Sequence, residues 1–382
     1  MPDPSKRNPV AGTVRTVPKP TGIVPNDIPI LRACTADDAS FERLVRAWEA
    51  TGPIDDIPGD HIRFLPFLYR RAENLGVRLR DHGIAKGVYT KAWYHHYVDH
   101  SQVLVTLEQQ GILKRALLLK GHALHALVYK DDPPTRPSAD VDVLVRREDR
   151  YSAARALIDS GFHPAKHSPV WIELLLRKSL GLQAGPRELD LHWGLFDFCP
   201  DPELERRLFE RSIEVQLRGK RYRTLSATDH VLHTLLHGAP KNEVSPARWV
   251  LDAHQLIIST DIDWELFVNE VARNGWAFPI ARQLTFLRET FGTPVPSTVV
   301  DSIAKIRAHP LVLGLVRRNS SNRLWVLSLS RIVFRDQILI TQTLGLRWNV
   351  TYLVLFAPLT TSLLFGERVS VFIQTGRFTP PR

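Results

Sequence analysis

The chain has 382 residues, 44% hydrophobic and 24% charged, a composition that folds into about two to three globular domains and excludes a wholly disordered chain, a collagen-like fibre or a disulfide-stapled miniprotein. Its formal net charge of +10 admits an acidic partner such as nucleic acid, a membrane surface or a phosphorylated substrate. Two cysteines, Cys34 and Cys199, stand far apart, one of them in an expected linker. They are too few for a disulfide framework or a cysteine-rich zinc site and fit a reducing cytoplasm.

Residues 1–34 carry seven prolines and no apolar run that would serve as a secretory signal, so a disordered, mildly basic tail is expected there. Over 35–114 the apolar residues of FERLVRAWEA, HIRFLPFLYRRAENLG and KAWYHHYVDHSQVLVTLEQQG recur at three- and four-residue spacing, which predicts helices. From 115 to 226 short apolar runs alternate with helical ones: RALLLKG, HALHALVYK, DVDVLVR, EDRYSAARALIDSGF and RELDLHWGL. Strand, helix, strand, helix, strand is the economical reading, hence an α+β unit with a mixed sheet. Helical spacing returns over 227–308, and 309–382 reads as a basic, apolar helical segment. Within that segment residues 348–366 hold no charge, a length barely sufficient to span a bilayer and diluted by Pro358 and polar residues.

The strongest chemical signal is Asp140-Val141-Asp142-Val143. On a strand, residues i and i+2 share a face, so both carboxylates point one way while the valines point into a core. Adjacent like charges repel unless a cation lies between them, and Mg²⁺ is the natural partner because it takes hard oxygen ligands and joins carboxylates to phosphates. A third acid, Asp190, stands on another expected strand, with Glu188 two residues before it. Three carboxylates from two strands suit a two-metal phosphoryl displacement. Asp-x-Asp alone also fits a solvated strand edge. Upstream, Lys120-Gly121 ends an apolar run and begins a helical pattern, a turn where backbone donors meet an anion and the lysine neutralises a phosphate. Arg136 adds a phosphate-pairing cation, and His192, two residues beyond Asp190, is a candidate for nucleotide binding on the same face, a strand-end histidine bonded to backbone being the other reading.

Taken in order, these residues resemble a known family. Lys-Gly, a helix, R-P-x-x-D-x-D-x-L-V, a helix ending in Gly-Phe, then E-L-D-L-H-W, D-H-V-L-H-T-L-L-H-G and R-W-V-L-D look like the uncharacterised nucleotidyltransferase family of the DNA-polymerase-beta-like superfamily. The resemblance covers about residues 115–260. It implies an α+β nucleotidyltransferase-like fold with helical flanks, moving a nucleoside monophosphate from an NTP, expected to be ATP, onto a hydroxyl acceptor with Mg²⁺ or Mn²⁺. Matched residue by residue, Asp140, Asp142 and Asp190 take the metal-binding positions, and Lys120 with Gly121 takes the phosphate-loop position. Lys-Gly departs from the Gly-Ser or Gly-Gly of the wider superfamily, which leaves the triphosphate grip open.

Other chemistries find less support. His233 and His237 sit at i, i+4 spacing without the glutamate of a zinc-protease motif, and are expected to be structural, facing Asp229 or Asp252. Trp193 and Trp249 read as core aromatics. No Gly-x-Ser-x-Gly or P-loop pattern occurs. Residues 302–382 carry eleven Lys and Arg against Asp336 and Glu367, nine of the ten net charges. The central region is therefore not a nucleic-acid surface by bulk charge, and a small-molecule or protein acceptor is preferred to RNA. The alternative from another class is a catalytically silent nucleotide-binding or recruiting protein. Residues 311–382 are expected to meet anionic lipid or an acidic partner, placing the protein in the cytoplasm or at the inner membrane face.

Overall fold

The structure is a computed structural model that describes residues 23–307 apart from 167–168, 197–198, 200, 202 and 239–246. The expectations for residues 1–22 and for the basic segment beyond 307 lie outside the described residues. Within them, no helix is long and apolar enough to cross a membrane.

The chain opens with α1 (Asp27–Thr35), α2 (Asp38–Glu49), α3 (Leu65–Leu75) and α4 (His82–Tyr94), and a π-helical turn, His95–Asp99, leads from α4 into α5 (His100–Gln109). The expected tail boundary at residue 34 therefore falls inside a packed helix. Ile30, Leu31, Ala33 and Cys34 are fully buried, and Pro29 is tolerated because it sits in the first turn, where its missing N–H has no intrahelical acceptor. Cys34 is thus a core residue rather than a linker residue.

The α+β unit follows as β1 (Leu117–Leu118), α6 (Lys120–Leu127), β2 (Val141–Leu144), α7 (Arg150–Asp159), β3 (His163–Pro164), α8 (Val170–Leu176), β4 (Ser179–Ala184), β5 (Arg187–His192), α9 (Leu204–Glu210), β6 (Ile213–Leu217) and β7 (Lys220–Thr224). These form one mixed seven-stranded sheet in the order β3-β4-β5-β2-β1-β7-β6. The strands expected at 117, 141 and 187 are its centre. Strand β2 runs parallel to β5 and antiparallel to β1, whereas β4–β5 and β6–β7 are antiparallel pairs. At the β6–β7 turn Arg218 and Gly219 both have positive φ, 55° and 75°, the conformation that a two-residue hairpin needs.

Alternation gives the sheet two distinct faces. Val141, Val143, Leu189 and Leu191 are buried with Val103 and Leu107 of α5 and Ala153 and Leu157 of α7, a core worth ~1.5–3 kcal/mol per fully buried aliphatic side chain. The opposite face carries Asp142, Asp190 and His192, with Leu144 joining the other core. That core also contains α1–α3 and the helices α10 (Ala227–Gly238), α11 (Arg248–Ser259), α12 (Trp264–Asn274), α13 (Ala277–Phe291) and α14 (Ser297–Lys305). Helices α10 and α11 meet closely at Gly238, where a Cβ would lie 2.2 Å from the Trp249 ring. Trp193 and Trp249 are both buried.

Candidate active site

Parallel pairing of β2 with β5 sets Asp142 opposite Asp190 and Leu144 opposite His192. Since side chains alternate across a strand, this register places two carboxylates and an imidazole on one face, above the apolar layer of Val141, Val143, Leu189 and Leu191. Asp142 is 1% exposed. Asp140 stands at the bend just before β2 and accepts, through its carbonyl, the Ser138 hydroxyl at 3.0 Å.

Lys120 and His192 bind these carboxylates together. The Lys120 Nζ donates to Asp142 Oδ1 at 2.5 Å and lies 3.8 Å from Asp190 Oδ2. The His192 Nε2 is 3.0 Å from both Asp142 Oδ1 and Asp190 Oδ2. Burial alone would push both carboxyls up, but the Lys120 ammonium and the His192 imidazole outweigh it and hold Asp142 and Asp190 below the usual carboxylate range. His192 is correspondingly raised: burial opposes its charge, and the Asp190 and Asp142 carboxylates overcome it. Asp140 behaves differently. Burial and the Asp142 charge push it up to about 7.

The donor set fits a hard divalent cation. The Asp142 and Asp190 carboxylates meet on the sheet beside Lys120 and His192, and the Asp140 carboxyl feels the charge of both. The Asp142 and Asp190 carboxylates and the His192 Nε2 lie within 4.8 Å of one another. Oxygen-rich, net-negative sites of this kind suit Mg²⁺ or Mn²⁺.

The turn into α6 frames the other side. Leu119 is extended, and Lys120 opens the helix with φ of 42°, a left-handed conformation that costs a non-glycine residue about 1–3 kcal/mol and concentrates at functional sites. Its ion pairs with the carboxylates hold it there. A Cβ on Gly121 would lie 2.3 Å from Ser138 Oγ and 2.8 Å from Arg136 Nη1, so only glycine lets the 136–138 segment close on the start of α6. The unpaired amides of a first helical turn face outward at such an end.

Arg136 is beside that turn, but its charge is already engaged. The Nη2 donates to Asp252 Oδ2 at 2.8 Å, the Nε lies 3.2 Å from Asp252 Oδ1, and the Tyr129 hydroxyl donates to the same carboxylate at 3.1 Å. This buried pair ties the loop preceding Asp140 to α11. Asp252 was expected opposite the α10 histidines. Instead His233 packs edge-on against Phe196 and His237, and Asp229 binds Arg211 at 2.6 Å. Glu188 is exposed two positions before Asp190. The Cys199 thiol is pushed up by burial and then by Glu205, which leaves it a poor nucleophile. The Arg136–Asp252 partnership joins residues 116 positions apart and has no local signature in the sequence.

A family model described as uncharacterised nucleotidyltransferase matches residues 94–292. That range runs from the last residue of α4 through the sheet to the end of α13, and includes both strands of the carboxylate pair and the Lys-Gly turn. No curated protein matches the chain. With more than half of its length matched by that model, the chain belongs to the uncharacterised nucleotidyltransferase family.

Proposed function

We propose that the protein moves a nucleoside monophosphate from an NTP, ATP first among them, to the hydroxyl of a small molecule or protein, with pyrophosphate as the leaving group. The observation that carries this reading is the register pair Asp142–Asp190, bridged by Lys120 at the mouth of a helix-opening glycine turn. A divalent cation held by Asp140, Asp142 and Asp190 would neutralise the triphosphate and favour the alkoxide form of the acceptor.

The chain's own residues have definable tasks. Lys120 is the positive charge nearest the carboxylates: its ammonium would exchange a carboxylate for a phosphate oxygen as the donor arrives. Gly121 lets the 136–138 segment close on the first turn of α6, whose amides are the backbone donors nearest Lys120. His192, pinned between Asp142 and Asp190, fixes the direction of both carboxylates. Arg136 is a positioning residue that anchors the segment leading into Asp140, with its Nη1 next to Gly121. The near-neutral charge of residues 1–301, +1 of the total +10, supports a small-molecule or protein acceptor over a polyanionic one.

Asp142→Asn tests this directly. The amide retains an oxygen that accepts from Lys120, so the fold should persist, while Mg²⁺-dependent pyrophosphate release from NTP should fall at least ~10²-fold, the scale of losing one preorganised electrostatic group. Retention of full activity by a folded Asp142→Asn protein refutes the assignment.

A further inference from the structure

Behind the carboxylates lies a second cluster that nucleotidyl transfer does not use. His96 from the π-helical turn and His122 and His125 from α6 place one ring nitrogen each within 4.8 Å of one another. Their rings are in mutual contact, with centroid separations of 4.6 Å for His96–His125, 5.2 Å for His122–His125 and 5.9 Å for His96–His122. His100, at the start of α5, packs on His122 at 4.8 Å. None of the four is more than 2% exposed.

Both ring nitrogens of His96 and of His122, and the Nδ1 atoms of His100 and His125, have no hydrogen-bond partner among the described protein atoms. A buried polar atom without a partner costs about 1–3 kcal/mol, and such a concentration in one place calls for a ligand. The remaining nitrogens are directed. His125 Nε2 is 2.8 Å from the Arg136 carbonyl, and His100 Nε2 is 3.3 Å from the Ala139 carbonyl. A carbonyl only accepts, so each Nε2 carries the proton and each Nδ1 keeps its lone pair. Metal-binding histidines are commonly oriented in this way, with one nitrogen on a backbone carbonyl and the other on the ion.

We propose that His96, His122 and His125 form a three-nitrogen site for a zinc-type transition-metal ion. Imidazole nitrogens with no carboxylate among them exclude Mg²⁺ and Ca²⁺ and select Zn²⁺ or its neighbours in the transition series. Burial keeps the imidazoles neutral, as metal binding requires, with His96 at about 3 and His100 at about 4. Of the cations close by, Arg218 is held by the His96 carbonyl, Ser101 and the Tyr97 ring, and Arg136 by Asp252. Binding there depends on nitrogen coordination rather than on a negative field. The ion would tie together the π-helical turn, α6 and, through the two carbonyls, residues 136–139, so it acts as a structural clamp under the turn that carries Lys120 and the loop that ends at Asp140.

The test uses the full chain without a histidine tag, stripped with a strong chelator, titrated with Zn²⁺ against a chromophoric competitor and substituted with Co²⁺ for visible spectroscopy. The chelated Asp142→Asn protein, whose carboxylate site is impaired, should still take up about one Zn²⁺ and give the intense ligand-field bands of a four-coordinate, nitrogen-rich Co²⁺ site. His122→Gln and, as a milder variant for the case in which that chain fails to fold, His96→Gln should lose this binding at unchanged far-ultraviolet circular dichroism. Absence of Zn²⁺ binding and of Zn²⁺-dependent thermal stabilisation in the wild-type chain overturns the proposal. So does a Zn²⁺ stoichiometry that the Asp142→Asn change abolishes and the folded histidine variants keep.

Discussion

Asp252, on α11, holds Arg136 in a buried pair at 2.8 Å, and through it the helical region grips the loop that delivers Asp140 to the sheet. Tyr129 donates to the same carboxylate, and the Arg136 carbonyl accepts from His125. One loop is therefore fastened on both sides, to α11 and to α6. Removing one partner of such a pair strands the other, at about 3–5 kcal/mol. Asp252→Ala should lower the unfolding free energy by that amount, and Asp252→Asn, which keeps hydrogen-bond acceptance, by clearly less. Denaturant melts of the two variants measure the difference, and equal effects would mean that hydrogen-bond acceptance without the charge does not hold the loop.

Gly121 is expected to be intolerant of even one methyl group. Alanine would bring a Cβ to 2.3 Å from Ser138 Oγ and 2.8 Å from Arg136 Nη1, and the loop must shift to relieve it, at about 1–3 kcal/mol. The shift moves Asp140 relative to Asp142. Gly121→Ala should therefore reduce kcat by more than its stability loss explains, measured at a temperature where the variant is fully folded. An unchanged kcat in a destabilised variant would remove the turn from the site.

Stability should fall as the solution is acidified from neutrality. His230 and His254 are both buried, the first against the Thr224 hydroxyl at 2.8 Å and the second against the Thr293 hydroxyl at 2.9 Å. Burial lowers them to about 3 and about 4, below the ordinary histidine value near 6.5. The unfolded chain then binds more protons than the folded one as the pH drops below about 6.5. Their contribution is complete above that value and is lost as pH falls towards 3 to 4, at ~1.4 kcal/mol per pH unit for each histidine. Urea unfolding at pH 7.5 and 5.5 should give a lower stability at 5.5, and His254→Gln should flatten the slope by about one proton. A wild-type stability that is constant over this range contradicts the neutral assignment.

Much of the site was readable in the sequence, because its signal is local. Asp-Val-Asp-Val in a strand already separates carboxylates from core, and Val141 and Val143 are fully buried as alternation requires. Lys-Gly between an apolar run and a helical pattern locates the turn that φ of 42° at Lys120 then makes specific. The relationships that were not readable are long-range. The partnership of Arg136 with Asp252, and the convergence of His96, His122 and His125 from two elements, depend on packing that no spacing encodes. Helix α1 forms where the proline content of residues 1–34 predicts a tail, because Pro29 falls in its first turn, where a proline disrupts nothing. Strand β4 and the β6–β7 hairpin add the sheet's outer strands. Their short alternating runs, SLGLQA and IEVQL, are weak signals that pairing with neighbours turns into strands.

The most direct measurement follows the phosphorus. Incubating the full chain and Mg²⁺ with cell extract and ATP labelled at either the α or the γ phosphorus separates nucleotidyl from phosphoryl transfer. The α label should appear on an acceptor, the γ label should leave as pyrophosphate, and both should stop in the Asp142→Asn protein. Transfer of the γ label to an acceptor, or no movement of the α label with any of the four NTPs, would contradict the account.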